Sequence, residues 1–353
     1  MQVLMLTRYD ALGASSRVRT FQYIPSLKAA GIKVSTSPLL GDGYVADLYS
    51  GNVSKAKVLI SYLKRVKKLI DSNSYEIIWI EKEALPWLPA FVEKLLLPAK
   101  TKIVVDYDDA IFHRYDQNQR KYIRWMMGKK IDHVMRNADM VTAGNSYLAA
   151  RAEAAGSKKI VWLPTVVDLD RYPLKTKSSE SKEITVGWIG SPTTTEYLYP
   201  LKNAMGILSK RHPIKWVAVG SRKDQLNETL FEAKEWREED EVQRLHEFDI
   251  GIMPLPDLPF EHGKCGYKLI QYMACGLPVV ASPIGVNCDI VENKKNGILA
   301  SSTNEWVDAI EYLILNPEAR KNFGLAGRKK VEKSYSLQAQ APRLIEILKS
   351  VCE

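Results

Sequence analysis

Between Glu261 and Gln271 the chain reads Glu-His-Gly-Lys-Cys-Gly-Tyr-Lys-Leu-Ile-Gln, with two glycines and two lysines at the mouth of an amphipathic helix. Gly263 and Gly266 let backbone N–H groups approach a ligand more closely than a residue with a Cβ would allow. The helix expected over Tyr267 to Cys275 points its N-terminus at this turn, and a helix N-terminus attracts anions. Lys264 and Lys268 add fixed positive charge, and Cys265, Tyr267 and His262 share the turn. Gly276-Leu277-Pro278 stops the helix. Val279 to Ser282 is a short apolar strand. An ordinary α/β repeat accounts for the helix and the strand but not for the lysines and glycines before them. The chemistry expected here is binding of a diphosphate.

Three other stretches carry groups able to bind or react. The loop after the first apolar run, Tyr-Asp-Ala-Leu-Gly-Ala-Ser-Ser-Arg, offers close backbone approach at Gly13 and a cation at Arg17. Its bland reading is a helix start capped by Ser15 or Ser16. The stretch 104–116 crowds Asp106, Asp108 and Asp109 at the end of a buried strand, with His113 close behind. Carboxylates so placed perturb one another's pKa values and are candidates for catalysis. They also spell Asp-x-Asp, a short and common metal signature, and could equally cap the next turn. Finally, Gly190 and Ser191 follow an apolar run, and Arg222 follows another. Ser191 can donate to phosphate, whereas a solvated surface position is the plain alternative for Arg222.

The run Met273 to Val280 resembles the nucleotide-sugar site of family 4 glycosyltransferases, and the likeness is strongest over 184–336. Such enzymes carry Glu-x7-Glu across the turn and helix, where this chain has Gly263 and Gln271. The resemblance implies that Gln271 meets the ribose as an uncharged hydrogen-bonding group. It implies that Glu261 stands in for the missing first glutamate, and that Arg222 lies where the family contacts the base. It places the Gly13 loop near the donor diphosphate, and Asp108 at the position of a family histidine, with His113 as the alternative. The implied fold is GT-B: α/β, two Rossmann-like domains whose parallel sheets face a central cleft. The implied reaction needs no metal and no cofactor beyond the nucleotide sugar itself.

Length and composition agree with two domains. The chain has 353 residues, 46% of them hydrophobic, enough for two cores of moderate size. Its four cysteines, Cys265, Cys275, Cys288 and Cys352, show no metal-ligand spacing and read as reduced. The opening residues lack a basic leader and are expected to form a buried strand. A cytoplasmic location follows, with no run long enough to span a membrane. Residues 1–170 carry a net charge of +8 and the remainder +1. The excess concentrates in 54–71 and 119–136, both with apolar residues at helical spacing. These are expected to be solvated surface helices, or interfacial helices that hold an anionic membrane. Nucleic acid is not expected, because no binding motif accompanies the charge.

Apolar runs at 3–6, 32–35, 77–80, 103–105, 140–143 and 161–164 alternate with helical segments, the first of these spanning 17–30. A second alternation begins at 184, with further runs at 216–220, 249–254 and 279–282. Such alternation predicts parallel sheets covered by helices. The expected domains are 1–172 on the acceptor side and 184–336 on the nucleotide-sugar side. The polar stretch 173–183 is the linker, and the terminal helix 337–353 crosses back to the first domain. The function expected is transfer of a sugar from a nucleotide-diphosphate sugar to a glycan or lipid-linked acceptor, with retention, in bacterial surface polysaccharide assembly. A nucleotide-sugar 2-epimerase and a non-catalytic sugar-nucleotide scaffold remain alternatives. A nicotinamide dehydrogenase is disfavoured by the lack of an early Gly-x-Gly-x-x-Gly.

Overall fold

The computed structural model describes residues 1–50, 52–175 and 183–353. Most of the expected linker, 176–182, lies outside the described residues. The chain forms two compact units. The first comprises 1–166, 263–265 and 337–353, and the second 167–262 and 266–336.

The first unit is built on a six-stranded sheet of β1 (Gln2–Tyr9), β2 (Lys33–Leu40), β3 (Ile77–Glu81), β4 (Lys102–Tyr107), β5 (Met140–Ala143) and β6 (Ile160–Trp162). The spatial order is β2-β1-β3-β4-β5-β6, and the pairings are parallel. Central strands of such a sheet are covered on both faces, so they need apolar residues at successive positions. β3 meets that need with Ile77, Ile78, Trp79 and Ile80, all buried. One face packs Val3, Met5, Trp79 and Val104 against Leu344, Leu348 and Val351 of the helix Leu337–Cys352.

The second unit has its own six-stranded sheet of β7 (Ile184–Ile189), β8 (Ile214–Val219), β9 (Glu232–Lys234), β10 (Ile250–Met253), β11 (Val279–Ala281) and β12 (Gly297–Leu299). The order is β12-β11-β10-β7-β8-β9, again with parallel pairings. Both faces are covered by buried apolar clusters. The alternation of strands and helices therefore yields two parallel sheets, each Rossmann-like in layout. In each sheet the strand order reverses at one point, β1/β3 in the first and β7/β10 in the second. Open α/β sheets bind ligands beyond the carboxyl ends of strands at such points.

Local differences from the sequence reading have physical causes. The helix expected over 17–30 is broken into Ala14–Arg19, a 3-10 turn Phe21–Tyr23, and Ile24–Ala29. Pro25 sits in the first turn of the last piece, where its missing N–H costs nothing. The segment 119–136 divides at Gly128 into helices Lys121–Met127 and Lys130–Asn137. Two of its expected surface cations, counting both basic segments, are core groups. Lys130 is buried on Glu83 at 2.6 Å and Glu93 at 3.1 Å. Arg65 is buried and donates to the carbonyls of Thr7, Ser37 and Ala84 at 2.7, 2.8 and 3.1 Å.

Candidate functional site

In the first unit the loops after β1, β3 and β4 bring one ionic cluster together. β1 runs into Gly13, whose backbone caps the helix Ala14–Arg19 without any side-chain bond. A Cβ at Gly13 would overlap the Tyr9 side chain. Neither serine caps this helix. The Ser15 hydroxyl donates to Asp108 at 2.8 Å, and the Ser16 hydroxyl donates to Glu81 at 2.6 Å. Arg17 donates to the Ala11 carbonyl at 3.3 Å.

β3 ends at Glu81, and the next residue, Lys82, has φ 65°, a left-handed value that L side chains seldom adopt. That turn sends the Lys82 ammonium to Asp108 at 2.8 Å, to Asp109 at 3.4 Å and to the Ser15 hydroxyl at 3.2 Å. Burial alone would lower the Lys82 pKa, but Asp108 and Asp109 outweigh it and raise it. Asp109 also meets Lys264 at 3.3 Å. Burial would raise the Asp109 carboxyl, whereas the ammonium groups of Lys264 and Lys82 hold it below the usual carboxylate range. Lys264, Gly263 and Cys265 pack within this first unit. Asn145 donates to the Lys264 carbonyl at 2.9 Å, Gly263 lies against Ala110, and buried Cys265 fills the space beside Gly144.

Of the three carboxylates expected to crowd together, Asp108 and Asp109 share Lys82 whereas Asp106 is held apart. Asp106 is buried beneath the others and bidentately paired with Arg19 at 2.9 and 2.6 Å, with Thr142 donating at 2.5 Å. Asp106 and Asp108 therefore face different partners and do not converge as an Asp-x-Asp pair. His113 is not drawn into the cluster by any bond: its ring nitrogens contact Asp116 and Tyr147, each at 2.8 Å.

In the second unit the helix Tyr267–Ala274 starts at Gly266, with φ 67° and no side-chain cap. A Cβ there would overlap Ile290, so glycine is needed for both space and backbone. A helix N-terminus opening on glycine favours an anionic group beside it. Lys268 lies over the Trp188 ring, 5.4 Å from its centroid. Gln271 is buried, and its amide donates to the Tyr172 hydroxyl at 3.0 Å. Tyr172 in turn bonds Glu241 and lies 3.3 Å from the Tyr267 hydroxyl.

Beyond β7, Gly190 lies against the Trp188 ring, and Ser191 caps the 3-10 segment Pro192–Leu201, its hydroxyl 2.9 Å from that of Thr193. Beyond β8, Arg222 is exposed and meets Asp224 at 3.4 Å. Beyond β10, Glu261 is buried and accepts from Tyr197 at 2.5 Å, while His262 meets Asp257 at 2.7 Å. Lys82, Tyr172 and Tyr197 were not singled out from sequence. Lys82 had a signal, since it sits at the end of a buried strand just as Asp108 does. Tyr172 and Tyr197 had none that separates them from other tyrosines.

This layout is the GT-B one, an α/β protein of two Rossmann-like units. Residues 183–316 match the family model described as Glycosyl transferases group 1. Sucrose-phosphate synthase from Thermosynechococcus elongatus superposes with a TM-score of 0.73 over 99% of both chains at 17% identity. Anabaena HepE in complex with UDP-glucose gives 0.72 over 99% of this chain and 100% of that one, at 16% identity. At these identities the likeness is one of fold. Among curated proteins, trehalose synthase of Pyrococcus horikoshii is 29% identical over 87 residues, 24% of this chain and 21% of that protein. Alpha-maltose-1-phosphate synthase of Mycolicibacterium smegmatis is 27% identical over 101 residues, 26% of each. The match thus spans about a quarter or less of the curated relatives' length.

Proposed function

We propose that the protein transfers a sugar from a nucleotide-diphosphate sugar to a hydroxyl of a glycan or lipid-linked acceptor, with retention, in bacterial surface polysaccharide assembly in the cytoplasm. The observation that carries this reading is the helix Tyr267–Ala274, which opens on Gly266 without a side-chain cap and has Lys268 in its first turn, inside the segment 183–316 that matches the group 1 glycosyltransferase model. In the reaction the bond between the anomeric carbon and a diphosphate oxygen breaks, and the acceptor oxygen forms the new bond. Negative charge grows on the leaving diphosphate, and preorganised N–H groups and cations there lower the barrier most. The acceptor proton passes to that diphosphate. Asp108 and Asp109, held by Lys82, orient the acceptor hydroxyl or face the cationic sugar. Both are already engaged by ammonium groups, which suits an electrostatic role better than that of a strong base. We read the transfer as independent of metal.

Calorimetry with UDP-, GDP-, dTDP- and CMP-sugars, with and without Mg²⁺, tests the reading. One tight ligand with unchanged affinity in the presence of chelator is expected. Lys268→Ala should weaken that ligand about tenfold, ~1.4 kcal/mol. Unchanged affinity and rate in both Lys264→Ala and Lys268→Ala would sink the diphosphate assignment.

A further inference from the structure

We propose that the first unit docks on an anionic lipid surface through apolar side chains that three of its helices turn to solvent. On the helix Lys55–Ile70, buried Arg65 and Leu69 and the Tyr62 hydroxyl, bonded to the Pro86 carbonyl, anchor one stripe. A second stripe, Leu59, Leu63 and Ile70, recurs at helical spacing with no core to meet: Leu59 and Leu63 are 62% and 61% exposed. The helix Ala90–Leu96 packs beside it and exposes Phe91 and Leu95, at 63% and 79%. Ala90–Leu96 also packs on Lys130–Asn137, which directly follows Lys121–Met127. That last helix exposes Trp125 at 87%. Half of the exposed large apolar side chains among the described residues fall between Leu59 and Met126.

Charge says what covers this face. Residues 52–70 and 117–131 contain no Asp or Glu, and the only one in 87–100, Glu93, is buried on Lys130. Exposed Lys55, Lys64, Lys67, Lys94, Lys121 and Lys129 are interleaved with the apolar set. A protein partner favours an apolar centre depleted of charge with a separate polar rim. Cations one residue from inserted leucines instead fit a bilayer boundary, where their stems lie along acyl chains and their heads reach phosphate. Tyr122, Trp125 and Trp87 are the amphipathic rings that sit at headgroup depth. The cations that belong to the core, Arg65 and Lys130, are excluded from this surface, whereas Ala90–Leu96 joins it.

The docking deepens the function proposed above by naming where a lipid-linked acceptor is met, and it rests on that reading only for this purpose. Its test needs no sugar donor. The full chain is sedimented with vesicles of phosphatidylcholine alone and of phosphatidylcholine with phosphatidylglycerol. Binding is expected only with the anionic lipid, with a blue shift of tryptophan emission that Trp125→Phe diminishes, and with weakening by salt. Leu63→Ser with Trp125→Ala, and separately Lys64→Glu with Lys121→Glu, should each lower binding at least about tenfold while circular dichroism stays unchanged. No binding to anionic vesicles, or binding that both double variants retain, overturns the proposal. Self-association by the parent chain that the apolar variant abolishes overturns it too, in favour of a contact between copies. Failure here leaves donor binding untouched, so the two readings fail separately.

Discussion

Lys82 holds two aspartates from a backbone conformation that lysine seldom takes, and such strain persists only where the surroundings enforce it. Removing the ammonium leaves Asp108 bonded by Ser15 and Asp109 paired with Lys264. Breaking a buried ion pair by deleting one partner costs about 3–5 kcal/mol. Lys82→Met is expected to lower the urea midpoint accordingly, and Asp108→Asn in the same chain should restore part of the loss. A strictly additive double variant would show that the two side chains do not interact. Asp109 gives a separate handle. Its folded pKa is depressed, so its contribution is present above the unfolded value of 3.8 and disappears as pH falls towards about 2. The pH dependence of unfolding in that window should flatten in Asp109→Asn. At Gly266, where φ is 67° and a Cβ would strike Ile290, substitution by alanine is expected to destabilise by roughly 1–3 kcal/mol in thermal melts.

At the scale of elements, the helix Leu337–Cys352 contributes more to the first sheet than its place in the sequence suggests. Leu344 and Leu348 are fully buried against it. Leu344→Ala should cost about 2–5 kcal/mol, read as faster hydrogen exchange in β1 and β3 but not in β10 and β11. The long strands were legible because each is an apolar run bounded by turn residues, as at Ile77 to Ile80. β9 was not legible, since Glu-Ala-Lys over three residues on a sheet edge has no apolar pattern to read. β12 is equally short. The turn from Gly263 to Lys268 stood out because its charges and glycines exceed what a helix start needs. Lys82 did not, because Glu81-Lys82-Glu83 reads as an exposed charge run. The pairing of Glu81 with Asp106 in the sheet shows that this run is an interior strand end beside Asp108, as the apolar run before it could have suggested.

For the whole molecule, the basic charge and the family match fall in different parts of the chain. The basic excess lies in the N-terminal half, and the group 1 glycosyltransferase match lies in the second unit. A chain truncated after Ser336 loses the helix that completes the first core while leaving every strand of the second sheet present. Such a truncation is expected to unfold the first unit and keep the second. Limited proteolysis would then yield a resistant fragment covering 183–336, and a fragment covering 1–166 instead would contradict it.

The same return of the chain bears on how the protein is made. The first unit is assembled from 1–166, 263–265 and 337–353, so its contacts cannot be completed until residues 337–353 have left the ribosome. Domains usually finish in order as they emerge, but here the first sheet must wait for a helix that follows the whole second sheet in the chain. During that interval the face of β1, β3 and β4 that carries Val3, Met5, Trp79 and Val104 lacks Leu344, Leu348 and Val351 and keeps only part of its cover, from residues such as Tyr23 and Leu27. The nascent chain is therefore expected to need chaperones at its N-terminal half, and its yield in cells should fall when they are depleted.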